Sequence, residues 1–512
     1  MYNKSNMIDS GAHGQMRMKQ RVLDRKWLLA ALALFWILVF ALKRQIFASA
    51  ATAVPVVLFV FCSFFVTLFL NGMSEKDFLL IACFLGIFFI VIAPFACIID
   101  ERYHFARSFL LSGGHFFHQT VDGQPGFMLP EGFSAYAHPG AWNPSNISEL
   151  RGIWLSSAEN LSFVPYTRSG SYLPLDYVFS ALGMAVARLL RLPLVLVVLL
   201  GRLFNYAAYV AVSYCAIRKA RYYKSLFFLV AVLPCCLYAG SVISIDACLI
   251  SFCLLYVSTA LNYCLDDELS EITPGDMALL MISAAFILST KYFGYFPMLL
   301  LILFAGGKHL KRYSQTLIGL GAVTAVIAAW QIYLIAVTPG SIDEGAAFEG
   351  VSLSGQLGWI LANKGKFLQQ IGHQMILEAP QQLYAYSYSE EPVFSALSLP
   401  LRFVPFLAAA WAEDKYPMDL KQRRGLNAYW ILSALVMMAM CYIGLYLAWT
   451  PVGAPAAEGM QFRYTTPYLI FILLAVSTIR TVSTVRDKER ITAFLMVLQL
   501  VNMLTGTVLH WS

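Results

Sequence analysis

The sequence predicts an all-α fold, a polytopic transmembrane helical bundle, and three observations predict it. Hydrophobic residues make up 59% of the 512-residue chain and charged residues only 13%, about half the charged share of a soluble domain. Apolar runs near 20 residues recur along the chain, the length that crosses a bilayer's hydrocarbon core as a helix. Basic residues gather in the short loops between these runs, where they set orientation.

In chain order the candidate spans are 27–42, 46–70, 78–99, 193–217, 225–240, 244–264, 276–290, 292–307, 316–338, 394–412, 427–449, 464–480 and 491–511, about thirteen in all. The first follows Arg17, Lys19, Arg21, Arg25 and Lys26 and resembles a signal peptide, with Ala48-Ser49-Ala50 like a cleavage site. Lys43 and Arg44 interrupt that approach and further spans follow, so an uncleaved first helix is expected. Residues 172–192 are amphipathic and carry Arg188 and Arg191, which predicts an interfacial or re-entrant helix. The domain organisation is therefore a tail over 1–26 and one transmembrane domain over 27–512.

With the tail in the cytoplasm, the inner segments hold Lys76, then Arg218, Lys219, Arg221 and Lys224, then Lys308, Lys311 and Arg312. They also hold Lys415, Lys421, Arg423 and Arg424, and finally Arg480, Arg486, Lys488 and Arg490. This is the positive-inside pattern, with Lys43 and Arg44 as its one violation. It explains the net charge of +7 without nucleic acid as a partner. Three polar segments then lie outside, at about 100–192, 339–393 and 450–463. Rich in Gly, Pro, Tyr, Trp and Ser, they read as ordered loops over a cavity. The ten cysteines fall almost wholly within apolar runs, with no disulfide framework or zinc spacing. Asn146-Ile147-Ser148 and Asn160-Leu161-Ser162 match the N-glycosylation pattern, a short motif that recurs by chance.

The candidate chemistry begins where the 78–99 run stops, at Asp100 and Glu101, followed by Arg102, His104 and Arg107. Carboxylates at a membrane boundary are costly unless something uses them. One of them can act as a general base toward an acceptor hydroxyl, burial raising a pKa that starts near 4; the plain alternative is an acidic helix-end cap. His104, His115, His118 and His138 share the same loop, but no tight carboxylate–histidine pattern joins them into a metal site. Asp246 in Ser244-Ile245-Asp246 and Lys291 in Lys291-Tyr292-Phe293-Gly294-Tyr295 also fall on the outer side. A charge in mid-membrane costs about 2.5–3.5 kcal/mol, so both are expected at the cavity or interface; snorkelling is the plain alternative for Lys291. Arg463, in Gln461-Phe462-Arg463-Tyr464, suits phosphate because its planar fork grips two oxygens; anchoring at the interface beside Tyr464 is the alternative. Arg202 is the main charge within a span. Asp100, Asp246, Lys291 and Arg463 are distant in sequence, yet the topology gathers them at one face. A base with cations nearby is what a lipid-phosphate leaving group needs. Phosphate departs as a stabilised anion, so no general acid is required, unlike two-carboxylate glycosidases.

The same residues resemble a family of bacterial membrane proteins known as domain of unknown function 2142. The resemblance runs through Asp100-Glu101-Arg102-Tyr103-His104-Phe105-Ala106-Arg107, Gly113-Gly114 and Tyr172-Leu173-Pro174-Leu175-Asp176-Tyr177. It continues through Gly201-Arg202-Leu203-Phe204-Asn205, Ser244-Ile245-Asp246, Lys291-Tyr292 and Gln461-Phe462-Arg463-Tyr464, where Phe462 stands in place of a glycine. That family is similar to the GT-C class of glycosyltransferases. The likeness implies a multi-helix membrane fold, a polyprenyl-phosphate-linked sugar donor and an acidic catalytic residue in an early extracytoplasmic loop, at Asp100.

The expectation is thus a GT-C-like glycosyltransferase of the bacterial inner membrane, acting on a glycan or lipid acceptor. Asp100 is its base, and Glu101 assists or binds a divalent cation, the one cofactor contemplated. Arg463 and Lys291 hold phosphate, and His104 and Arg107 orient the carboxylates or the sugar. Tyr172, Tyr177 and Trp142 line the sugar site, and Arg202, Asp246, Gln461 and Tyr464 join the binding set. A transporter or flippase of a lipid-linked saccharide is the alternative, a polysaccharide polymerase or ligase a third reading, and a scaffold the last.

Overall fold

The computed structural model describes the chain apart from residues 1–17, 97–99, 139–146, 166–168, 171, 292–293, 309, 338–349, 385–402, 412–419, 479–486 and 512. The described residues are overwhelmingly helical. The N-terminal layer is α1 (Lys26–Leu42), α2 (Ala50–Phe69), α3 (Glu75–Phe84) and the short α4 (Phe89–Ile92). Ser74 and Asp77 form a capping box that starts α3, and Ser49 caps α2.

The loop expected at 100–192 is an ordered lobe. It holds α5 (Glu101–Ser112), short helices at Phe133–Tyr136 and Ile147–Trp154, and a three-stranded sheet of β1 (Gln119–Val121), β2 (Gln124–Pro130) and β3 (Leu161–Val164). β1 and β2 are antiparallel, Val121 facing Gln124 across Asp122-Gly123. Both turn residues have positive φ, the geometry of a tight hairpin. Phe95, Phe105, Tyr136 and Trp154 build a separate small core under this lobe. Residues 172–192 form a 3-10 turn, Pro174–Tyr177, and α6 (Val178–Leu189). At 12 residues, α6 is too short to cross a bilayer.

The bundle continues with α7 (Leu194–Lys219), α8 (Lys224–Val232), α9 (Pro234–Ser241), α10 (Asp246–Leu265), α11 (Pro274–Ser289) and α12 (Tyr313–Val337). It closes with α13 (Leu353–Ala362), α14 (Lys364–Tyr384), α15 (Val404–Ala410), α16 (Leu420–Ala448), α17 (Thr466–Ser477) and α18 (Lys488–Trp511). Six described helices are long and apolar enough to cross a membrane, or up to eight if each of two bent pairs is one span. This is fewer than thirteen for local reasons. Pro234 lacks the amide that would continue α8 and forces Leu233 into extended backbone, bending the 225–240 run by 59°. The 78–99 run breaks at Leu85 into a 3-10 turn and α4. The 292–307 run is largely 3-10 helix, α17 has only 12 residues, and most of 394–412 lies outside the described residues.

Helix α10 is the axis. Every one of its 20 residues is buried, whereas α2, α7, α12 and α16 leave most of their apolar surface outside the protein, as lipid-facing spans do. Gly183 of α6 lets the Leu200 carbonyl of α7 approach so closely that a Cβ would lie 2.2 Å from it. At the end of the bundle where α7 and α10 finish and α11 begins, the bases pair with acids: Lys219 with Asp276, Arg221 with Asp266 and Lys224 with Glu75. The candidate site lies at the opposite end, where α10 starts.

Candidate active site

Four chain segments meet there: the start of α5, the start of α10, the residues following α11, and the Phe462–Tyr464 3-10 turn before α17. Arg463 joins three of them. Its Nη2 donates to Asp100 Oδ2 at 2.5 Å and its Nη1 to Asp246 Oδ2 at 3.4 Å. The Arg463 side chain is 1% exposed and that of Asp100 is 47% exposed, so the carboxylate is the part of the pair that faces outward. Lys291 comes from the fourth segment. Its Nζ lies 4.4 Å from the Tyr464 ring centroid, and the Arg463 guanidinium lies 5.2 Å from the same ring. One aromatic ring therefore serves two cations. The structure brings Asp100, Asp246, Lys291 and Arg463 together, as expected, and adds Tyr464 to them.

The backbone is shaped for this meeting. Asp100 has φ 56° and Lys291 φ 50°, both left-handed and unfavourable for L residues. Asn205 of α7 donates its amide to the carbonyls of Gly240, Val242 and Ser244, which fixes the loop leading into Asp246. The Asp246 amide then donates to Ser244 Oγ at 2.9 Å. The Gly-Arg-x-x-Asn element thus works as scaffolding.

Electrostatics separate the groups. Desolvation pushes the Asp100 carboxyl up, but Arg463, helped by Lys291, outweighs it and holds the group at about 2. Burial drives His104 down to about 4, leaving a neutral ring whose Nδ1 shares a 2.9 Å hydrogen bond with the Tyr177 hydroxyl. The ring of Tyr172 is 6.3 Å from that of His104. His104, Tyr172 and Tyr177 therefore form a neutral wall beside the charged cluster.

Three expectations are corrected. Glu101 is fully buried and sealed: Arg202 Nε and Nη2 donate to its two oxygens at 2.7 and 2.6 Å, and the amides of Ile243 and Ala96 add 3.0 and 3.1 Å bonds. With four donors on it, Glu101 offers no oxygen to a substrate or cation, and it is not a catalytic partner of Asp100. Arg202 is spent on the same clamp, its Nη1 donating to the carbonyls of Ile90 and Ala93, so it is not a substrate-binding residue. Arg107 donates to the carbonyls of Phe116 and Tyr172, which fastens the lobe, and among the described residues it forms no ion pair with Asp100 or Glu101. Gln461 is exposed, and its carbonyl caps the turn by accepting from the Tyr464 amide. Trp142 lies outside the described residues. Among the described residues no group of three His, Cys, Asp or Glu is placed to hold a metal ion.

Sequence reasoning missed two features. Asp176 is fully buried, and burial raises its carboxyl to about 8 even though the Ser289 hydroxyl donates to it. An acid within the otherwise apolar Leu173–Tyr177 stretch was its only signal. The second is an apolar cavity of 480 Å³ whose wall includes Leu173, Pro174 and Leu175 from the turn that carries Tyr177, and Val326, Ile327 and Trp330 from α12. It reaches the protein surface beside α12, where Val326 and Trp330 are exposed.

No curated protein and no solved structure gives a significant match to this chain. The family described as "Predicted membrane protein (DUF2142)" matches residues 83–474, a range that opens within α3, ends within α17 and includes every residue of the charged cluster. The chain is a multi-pass membrane protein and belongs to that family.

Proposed function

We propose that this protein is a membrane glycosyltransferase that moves a sugar from a polyprenyl-phosphate donor to a glycan or lipid acceptor. We place it in the bacterial inner membrane, with the N-terminus cytoplasmic and the charged cluster on the extracytoplasmic side. The observation that carries the reading is the cluster itself: one carboxylate open to solvent, Asp100, beside two cations on a shared aromatic ring. Among the described residues Lys291 has no carboxylate within ion-pair distance, which leaves its charge for an anionic ligand. The apolar cavity walled by the turn that carries Tyr177 suits the donor's hydrocarbon tail.

Asp100 takes the proton of the acceptor hydroxyl. The acceptor oxygen bonds to the anomeric carbon, the carbon–oxygen bond to phosphate breaks, and the electron pair leaves on the phosphate. Lys291 and Arg463 stabilise that charge, which develops in a confined, poorly screened site. The partly exposed ring of Tyr172 is offered to the sugar, while Tyr177, buried and bonded to His104, holds that wall in place. A lipid-saccharide transporter calls for charge through the bilayer, and the principal mid-bundle charge, Arg202, is neutralised by Glu101. The test is sugar transfer from a polyprenyl-phosphate donor by purified Asp100→Asn protein. Loss of at least a hundredfold is expected, as for removal of a general base. Full transfer by a stable Asp100→Asn protein, or movement of lipid between leaflets by the wild type with no new glycosidic bond, overturns the reading.

A further inference from the structure

We propose that Arg463 is an exchangeable counter-ion: an incoming phosphate replaces Asp100 on the guanidinium, so that Asp100 becomes a working base only once the phosphate is in place. This rests on the reading above and adds a coupling between its two halves.

The argument starts from the contrast between two buried arginines. Arg202 fills its Nε–Nη2 edge with both oxygens of Glu101 and spends Nη1 on two carbonyls. Arg463 is as buried as Arg202, but its edge is half used. Nη2 reaches Asp100 and, at 3.3 Å, the Tyr464 hydroxyl, whereas Nε has no partner among the described residues. Asp246 Oδ1 also has none. A buried donor and acceptor left unmet are costly. Arg202 is a finished clamp and Arg463 is an unfinished one.

Charge accounting gives the unfinished clamp a purpose. The groups facing Arg463 and Asp100 are Asp246, Lys291, Tyr464 and the neutral His104. Two carboxylates and two cations sum to zero, so the empty site has no net pull on an anion. The reaction moves one negative charge: the acceptor's proton neutralises Asp100 while the phosphodiester monoanion becomes a monoester dianion. The cation between them has to follow that charge. Release of Nη2 by Asp100, together with the idle Nε, completes a two-donor edge that matches a phosphate's oxygens. While Arg463 stays on Asp100 the carboxyl is held too acidic to take a proton. Once Arg463 leaves, the neighbouring charge that keeps the carboxyl acidic is gone and the base strengthens. Donor binding thereby switches on the base, and water is not activated in its absence.

The experiment is equilibrium binding of polyprenyl monophosphate, inorganic phosphate and polyprenol to full-length protein in lipid nanodiscs. Wild type, Asp100→Asn, Asp100→Ser and Arg463→Gln are compared, with folding checked by thermal unfolding. Exchange predicts that both Asp100 variants bind polyprenyl phosphate roughly tenfold more tightly than wild type, because a competitor for a close charge pair is gone. Arg463→Gln loses that binding, and polyprenol affinity stays level. The same tightening with inorganic phosphate supports exchange with a free anion; tightening with the lipid alone supports exchange with a lipid headgroup. Unchanged or weaker phosphate binding in the Asp100 variants, with binding still lost in Arg463→Gln, overturns the exchange and leaves the glycosyltransferase reading standing. No preference for phosphate over polyprenol in any protein overturns both.

Discussion

The clamp between Arg202 and Glu101 can be broken from either side, and the two sides give different results. Replacing Arg202 by Met removes two bonds to Glu101 and the donor to Ile90 and Ala93. It strands a carboxylate that is 0% exposed. Breaking a buried pair by deleting one partner costs about 3–5 kcal/mol, largely because the remaining charge is uncompensated. The expected loss for Arg202→Met is in that range. Glu101→Gln keeps the shape and most of the donors and is expected to cost less. The double variant Glu101→Gln with Arg202→Met removes both charges and is expected to regain more than half of the single Arg202→Met loss, since apolar replacement of a whole buried pair is often neutral. Reversible unfolding in detergent followed by tryptophan fluorescence measures all three. Additivity of the two changes refutes the clamp, since coupled partners are non-additive. A Glu101→Gln protein with wild-type stability and no transfer restores Glu101 to the catalytic set.

Gly183→Ala places a Cβ against the Leu200 carbonyl and is expected to cost about 1–3 kcal/mol by forcing α6 off α7, read by unfolding midpoint. Asn205→Ala frees the carbonyls of Gly240, Val242 and Ser244 and is expected to lower transfer more than stability, because the loop that sets Asp246 loses its tie; equal losses point to a merely structural role. Asp176 has a folded-state pKa of about 8, raised above its unfolded value near 3.8. The unfolded chain therefore binds fewer protons between these values, and stability falls as pH rises through that window and levels off above it. In Asp176→Asn this contribution to the slope is removed, which unfolding measured from pH 5 to 9 will show. Lys291→Met is expected to weaken polyprenyl-phosphate binding by about tenfold, the loss of one charge-assisted contact.

Hydropathy revealed the helices well and their surroundings poorly. Lipid is as apolar as a protein core, so the 244–264 run, wholly enclosed as α10, has the same hydropathy signature as the 46–70 run, of which only a third is buried as α2. Pro234 inside the 225–240 run is a sequence signal for the break found there, whereas the break at Leu85 carries no comparable signal. Charge placement was legible because the positive-inside pattern assigns each loop to a face, and that alone gathered Asp100, Asp246, Lys291 and Arg463. The partners within the cluster were not legible. Asp100 and Glu101 are adjacent acids, but successive positions on a helix point about 100° apart, and here one faces outward and the other faces Arg202. Arg107 looked like a substrate ligand because carbonyl partners such as those of Phe116 and Tyr172 leave no mark on composition. Asp176 meets Ser289 across 113 positions, a pairing no local pattern announces.

The bond between Arg463 and Asp100 spans 363 positions of the chain. At the usual pace of synthesis, about 5–20 residues per second, roughly 20–70 s separate the appearance of its two ends at the ribosome. For the last 217 positions of that interval Asp246 waits at the head of the innermost helix without its guanidinium, so early insertion depends on contacts other than this cluster. A ribosome that stops before the Phe462–Tyr464 turn would leave a chain with nearly all its helices and no completed charged centre.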